Sequence, residues 1–192
     1  MPAAAPTVLM VPGLRDHVPQ HWQTLLAPQL PRVAAVPPMG REDLDCRARV
    51  DAIERAAQQV AGPLVIVAHS GGCIMVAHWA RQTKRPVLGA LLATPPDFET
   101  PMPEGYPSLA ALEQGGWLPV PRQRLPFASI VAASRNDPLG SFVRVSALAA
   151  DWGSKVVDLG EAGHLNPASG YGPWPLAHAF IEQLSQPDAV RR

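Results

Sequence analysis

The chain has 192 residues, enough for one domain that buries roughly 70% of its unfolded surface and short for two independent cores. Its 16 basic and 16 acidic side chains cancel, so no global field favours nucleic acid, an anionic membrane surface or a polyanionic substrate. Cys46 and Cys73 are the only cysteines, too few for a disulfide framework and without the paired spacing of a zinc site, which points to a reducing, cytoplasmic interior.

In chain order, the first apolar run is Thr7 to Val11. No basic region precedes it and Pro12-Gly13 ends it early, so it reads as a buried strand and fits neither a signal peptide nor a spanning helix. Further strands are predicted at Arg32 to Val36, Leu64 to Val67, Val87 to Ala93, Ser129 to Ala133 and Lys155 to Leu159. Helical stripes lie between and after them. Val50, Ile53, Ala57 and Val60 line one face of a helix over 43–61; Phe142, Val145, Leu148 and Trp152 mark a second, and Leu176, Phe180, Ile181 and Leu184 a third. Parallel strands need such crossovers, so the expectation is one α/β domain over residues 1–192: a mostly parallel sheet of about six strands with helices on both faces, in three layers.

One segment breaks the alternation. Thr94 to Pro126 carries eight prolines and one short predicted helix near Ser108 to Glu113. A connection that long reads as a lid, a binding loop, a surface for a protein partner or a passive packed excursion.

The most specific local feature is the strand Leu64-Val65-Ile66-Val67 running through Ala68-His69-Ser70-Gly71-Gly72 into a helix that includes His78 and Arg81. It matches a nucleophile elbow, in which the residues two before and two after the serine must be small because strand and helix pass close by. Ala68 and Gly72 occupy those places. A serine hydroxyl is a poor nucleophile at neutral pH and needs a histidine base with an acid to orient it. In this kind of fold the order along the chain is Ser, Asp or Glu, then His, each after a strand. Asp137 in Asn136-Asp137-Pro138 and His164 in Gly163-His164-Leu165 fit that order, with Asp97 and Asp158 as rival acids.

The remaining histidines are weaker candidates. His17 and His21 have Pro19 between them and no third metal ligand nearby; His78 and His178 fall in helices; His69 is confined to a supporting role beside the nucleophile. The oxyanion is expected to be held by the backbone amides of Gly71 and of Leu14, the latter in the loop Val11-Pro12-Gly13-Leu14. Arg15 and Asp16 read as a surface ion pair or as steering groups for a substrate. Tyr106, Trp117 and Trp174 are candidates for pocket walls, with ordinary packing as the alternative.

Taken together, Val11-Pro12-Gly13-Leu14 with Gln20-His21-Trp22, Ala68-His69-Ser70-Gly71-Gly72-Cys73, Asp137-Pro138, and Gly163-His164-Leu165-Asn166 with Ser169-Gly170-Tyr171-Gly172 and Trp174-Pro175 resemble the small serine hydrolases of the retinoblastoma-binding-protein and YdeN-like family. The resemblance covers nearly the whole chain. It implies a reduced α/β-hydrolase fold, the triad Ser70, Asp137 and His164, and no metal or organic cofactor. It also implies ester cleavage, or amide cleavage by the same triad, so the expected partner is a small-molecule ester or amide; the alternatives are acyl transfer by that triad and a non-catalytic interaction protein that docks through 94–126. Two departures stand out. Glycine is more usual at the position of Ala68, and a larger residue at that of Gly71, so the site is expected to be wider beside the nucleophile.

Overall fold

The structure is a computed structural model, and it describes residues 5–15 and 17–186. Six strands form one sheet: β1 (Thr7–Val11), β2 (Val33–Ala35), β3 (Leu64–His69), β4 (Gly89–Ala93), β5 (Ala128–Ala133) and β6 (Lys155–Asp158). Their order is β2-β1-β3-β4-β5-β6, and every pairing is parallel. Six α-helices accompany them: α1 (Trp22–Leu26), α2 (Cys46–Gln59), α3 (Gly71–Ala80), α4 (Leu109–Gln114), α5 (Phe142–Trp152) and α6 (Leu176–Leu184).

Alternation along each strand sends side chains to two faces, and both faces are covered. Leu9 and Val11 of β1 and Leu64, Ile66 and Ala68 of β3 join the core under α2, α3 and α5. Val8, Met10, Val65 and Val67 point the other way, into a core with Trp22 of α1 and Ala177, Ile181 and Leu184 of α6. Leu64, Ile66 and Leu91 are completely buried, each worth about 1.5–3 kcal/mol relative to exposure. The helices begin where the chain supplies caps. Asp45 Oδ1 accepts from the Ala48 amide at 3.0 Å, and Ser141 Oγ from the Arg144 amide at 3.4 Å. At the far end of α5, Gly153 closes the helix in the left-handed region.

The chain lays β2 on one side of β1 and then returns to build β3 to β6 on the other. The connections therefore diverge between β1 and β3, leaving a crevice beyond their carboxyl ends, where ligands bind in open parallel sheets. Val11 pairs with Ala68 there, so the loop after β1 and the turn after β3 leave the sheet side by side.

The 94–126 segment is packed for much of its length. Trp117, Leu112, Val120 and Leu125 are buried. The Trp117 indole donates to the Leu44 carbonyl at 2.8 Å and the Cys46 amide donates to that of Gly115 at 2.9 Å, stitching the segment to the start of α2. Among the described residues, no helix is long and apolar enough to cross a membrane.

Candidate active site

Ser70 follows β3 at φ 55°, ψ −131°, a conformation that costs a non-glycine residue about 1–3 kcal/mol and persists only where neighbours impose it. Those neighbours are close. A Cβ on Gly72 would stand 2.6 Å from the Pro12 carbonyl oxygen and 2.7 Å from that of Val11, so the helix after the serine touches the backbone leaving β1. Gly13 is pressed against the nucleophile as well, its would-be Cβ 3.1 Å from Ser70 Cβ. Ala68, in register with Val11 and Leu92, is completely buried, its methyl part of the core.

His164 Nε2 lies 2.7 Å from Ser70 Oγ, and its Nδ1 lies 2.9 and 3.0 Å from the two carboxylate oxygens of Asp137. A carboxylate only accepts, so Nδ1 carries the proton and Nε2 presents its lone pair to the Ser70 hydroxyl. Asp137 and His164 are both buried, and the Leu139 amide donates to Asp137 Oδ1 at 2.9 Å. The arrangement can move a proton from Ser70 to His164 while Asp137 holds the tautomer and faces the imidazolium that forms.

The rival residues are engaged elsewhere. Asp97 is bound by Arg144 at 2.8 Å; burial would raise its pKa, but Arg144, the Glu99 amide and Thr100 outweigh burial and hold it low. Asp158 pairs with Arg135 at 2.8 Å, which lowers its pKa. Cys73 sits three residues beyond Ser70, but burial pushes its thiol well above the ordinary range and it donates to the Ala93 carbonyl at 3.3 Å. His17 meets the Val36 carbonyl, His78 that of Trp117 and His178 the Gln29 side chain, at 2.9, 3.1 and 3.2 Å. Asp16 lies outside the described residues. Among the described residues, no group of three or more His, Cys, Asp or Glu side chains could hold a metal ion.

Above Ser70 opens a cavity of about 380 Å³, with Leu14, Val18, Leu44, Phe98, Met102 and Leu139 among its apolar walls and Arg15, Arg41 and Glu42 among its polar ones. Met102, Gly105, Tyr106 and Pro107 bring the 94–126 segment to this cavity, so part of that excursion is a binding-site wall and part is core. Tyr106 carries the Arg15 guanidinium 5.2 Å above its ring centroid.

Two of the predicted walls are corrected. Trp117 does not line the cavity; it stands behind Phe98, edge to face at 5.4 Å. Trp174 lies on the other side of the sheet, edge to face with Trp22 at 4.8 Å. The extra width expected beside Gly71 is also missing, because Leu14 and Phe98 fill it: a Cβ on Gly71 would meet Leu14 Cγ at 3.2 Å and Phe98 Cζ at 3.5 Å.

Sequence reasoning passed over Gln23, whose buried side-chain amide donates to the Val11 and Val67 carbonyls at 3.2 and 3.0 Å and ties α1 across the ends of β1 and β3. It also passed over the side chains that fix the histidine loop: Ser134 Oγ accepts from the Ala162 amide at 3.0 Å, Asn136 Oδ1 from Gly163 at 2.7 Å and Ser169 Oγ from His164 at 2.9 Å. Their one signal is position: Ser134 and Asn136 come just before Asp137, and Ser169 follows soon after His164.

The sequence pattern of the serine hydrolase family matches residues 8–183. The chain belongs to that family. Its fold is similar to that of a YdeN-like hydrolase from Pectobacterium atrosepticum, with a TM-score of 0.80 and 29% identity over 94% of this chain and 91% of that one. The ydeN gene product of B. subtilis matches with a TM-score of 0.72 and 16% identity over 93% and 98% of the two chains. A hydrolase from Oleispira antarctica follows at 0.67 and 13% identity, over 94% and 92%. No curated protein matches the chain significantly. Family membership makes the chain a serine hydrolase, and these structures share the α/β-hydrolase fold that the resemblance implied.

Proposed function

We propose that the protein hydrolyses small or medium acyl esters through Ser70, His164 and Asp137. The observation that carries this reading is the 2.7 Å contact of Ser70 Oγ with His164 Nε2 beneath a largely apolar cavity. His164 takes the Ser70 proton as Oγ attacks the ester carbon, and the carbonyl electrons move onto oxygen. The amides of Gly71 and Leu14 receive that oxyanion; removing one such donor costs on the order of 100- to 1000-fold in turnover. Collapse of the intermediate expels the alcohol, which leaves with the proton from His164. A water deprotonated by His164 then attacks the acyl-enzyme, freeing the acid and restoring Ser70.

The substrate is a small molecule whose acyl part contacts Leu14, Phe98, Met102 and Leu139, with Tyr106 at the wall. An alcohol departs more readily than an amine, which favours esters over amides of the same acyl group. The unbridged thiols of Cys46 and Cys73 fit a cytoplasmic setting. Turnover of nitrophenyl esters of graded acyl length, measured beside aminoacyl amides, tests the reading. The expected result is a kcat/KM that peaks at a short or medium acyl chain and exceeds every amide; faster amide cleavage reverses it.

A further inference from the structure

Ser70 and the residue before it both hold His164, from opposite ends. Ser70 Oγ meets the imidazole, while His69 Nε2 lies 2.9 Å from the His164 carbonyl oxygen. A carbonyl only accepts, so His69 Nε2 is the donor. We propose that His69 is a positioning residue for the hydrolysis: its imidazole N–H locks the His164 main chain so that the base faces Ser70. The proposal rests on the catalytic reading of Ser70 and His164 given above.

The loop needs such a lock. His164 stands between Gly163 at φ 56° and Leu165 at φ 49°, and the second is a left-handed conformation that leucine does not adopt unaided. Among the described elements, none includes this stretch. The His164 carbonyl is instead met by side chains, His69 at 2.9 Å and the Thr94 hydroxyl at 3.3 Å, while Ser169 receives the amide of the same residue. Thr94 is itself held at φ 45°. Three strained non-glycine residues, Ser70, Thr94 and Leu165, thus gather around one histidine, and His69 is the shorter of the two contacts to its carbonyl.

The surroundings suit a neutral donor. His69 is buried between two imidazoles, with ring centroids 5.0 Å from His164 and 4.4 Å from His21, and the Trp22 ring stands edge-on at 6.1 Å. Burial first, then His164 and His21, hold its pKa well below the ordinary value. A neutral His69 keeps its Nε2 proton for the carbonyl and adds no positive charge beside His164 when His164 becomes an imidazolium during turnover.

The test compares His69→Gln, whose amide N–H reaches about as far as Nε2, with His69→Met, which fills similar space without a donor. The readouts are nitrophenyl ester kinetics and the rate of fluorophosphonate labelling. His69→Met is expected to lower kcat and labelling by about 10- to 100-fold with little change in KM, because small misplacements of a base are costly. His69→Gln recovers most of that loss. Wild-type kcat in a folded His69→Met, or equal losses in both variants with native circular dichroism, overturns the proposal. Should His69→Met fail to fold, His69→Asn carries the test, its shorter amide falling short of the His164 carbonyl: a reduced kcat at unchanged KM supports the lock and a wild-type kcat overturns it. A wild type that does not label overturns both this inference and the catalytic reading, whereas a labelled wild type matched by His69→Met overturns this inference alone.

Discussion

Asp137 presents both carboxylate oxygens to a single nitrogen of His164, at 2.9 and 3.0 Å, in a setting where both side chains are buried. The contact fixes the tautomer. Asp137→Asn keeps the shape but lets the amide NH2 face Nδ1, which favours the tautomer with its proton on the wrong nitrogen. The expected loss in kcat is about 10⁴-fold, as for the same change in a serine protease triad. Asp97→Asn, by contrast, removes the charge paired with half-exposed Arg144 and disturbs the bonds that Asp97 accepts from the Glu99 amide and Thr100; it leaves kcat unchanged and costs on the order of 1 kcal/mol. Steady-state kinetics on one nitrophenyl ester checks both.

Adjacent glycines make opposite predictions. A methyl at Gly72 runs into two backbone carbonyls, of Val11 and Pro12, which cannot move without disturbing β1 and the loop after it. Gly72→Ala should therefore destabilise the fold by on the order of 1–3 kcal/mol, read from the urea midpoint. At Gly71 the nearest atoms belong to the Leu14 and Phe98 side chains, at 3.2 to 3.5 Å. Gly71→Ala should fold, narrow the cavity beside Ser70 and shift the acyl preference towards shorter chains, measured as the ratio of kcat/KM for short and medium esters.

Acid should weaken the fold through its buried histidines. Burial, then His164 and His17, lower the pKa of His21 from 6.5 to about 4, and burial lowers those of His69 and His78. Between the unfolded and folded values the unfolded chain binds the proton more readily. The stability contributed by neutral His21 is therefore complete above about pH 6.5 and is lost as the pH falls towards 4, on the order of 3 kcal/mol in all. His21→Asn keeps an acceptor for the Gln23 amide that His21 Nδ1 now serves, and removes the titration. Urea midpoints between pH 4 and 7 should fall less steeply in His21→Asn than in the wild type.

Much of the site was legible because its chemistry restricts residue type. A strained turn after a buried strand needs small neighbours, and the serine needs a base and an acid on later strand ends, so Ser70, Asp137 and His164 stood out from their surroundings. The alternation of apolar runs and helical stripes likewise pointed to the parallel sheet, although β4 begins at Gly89 and not Val87. Side-chain direction in an irregular segment was not legible. Trp117 and Phe98 both belong to the proline-rich excursion, yet Phe98 reaches the cavity and Trp117 the core behind it, held there by hydrogen bonds to the Leu44 carbonyl and from His78 of α3. Gln23 was obscure for a similar reason: its partners are carbonyls on two strands, β1 and β3, that the sequence does not show to be neighbours.

In the proposed reaction Ser70 is the activated nucleophile. Labelling with a fluorophosphonate probe, followed by mass mapping of the modified peptide, tests it most directly. The expected result is rapid labelling of the wild type on Ser70, loss of labelling in Ser70→Ala and strong slowing in His164→Ala. An unlabelled wild type beside a reactive control hydrolase, or labelling that persists in Ser70→Ala, would contradict it.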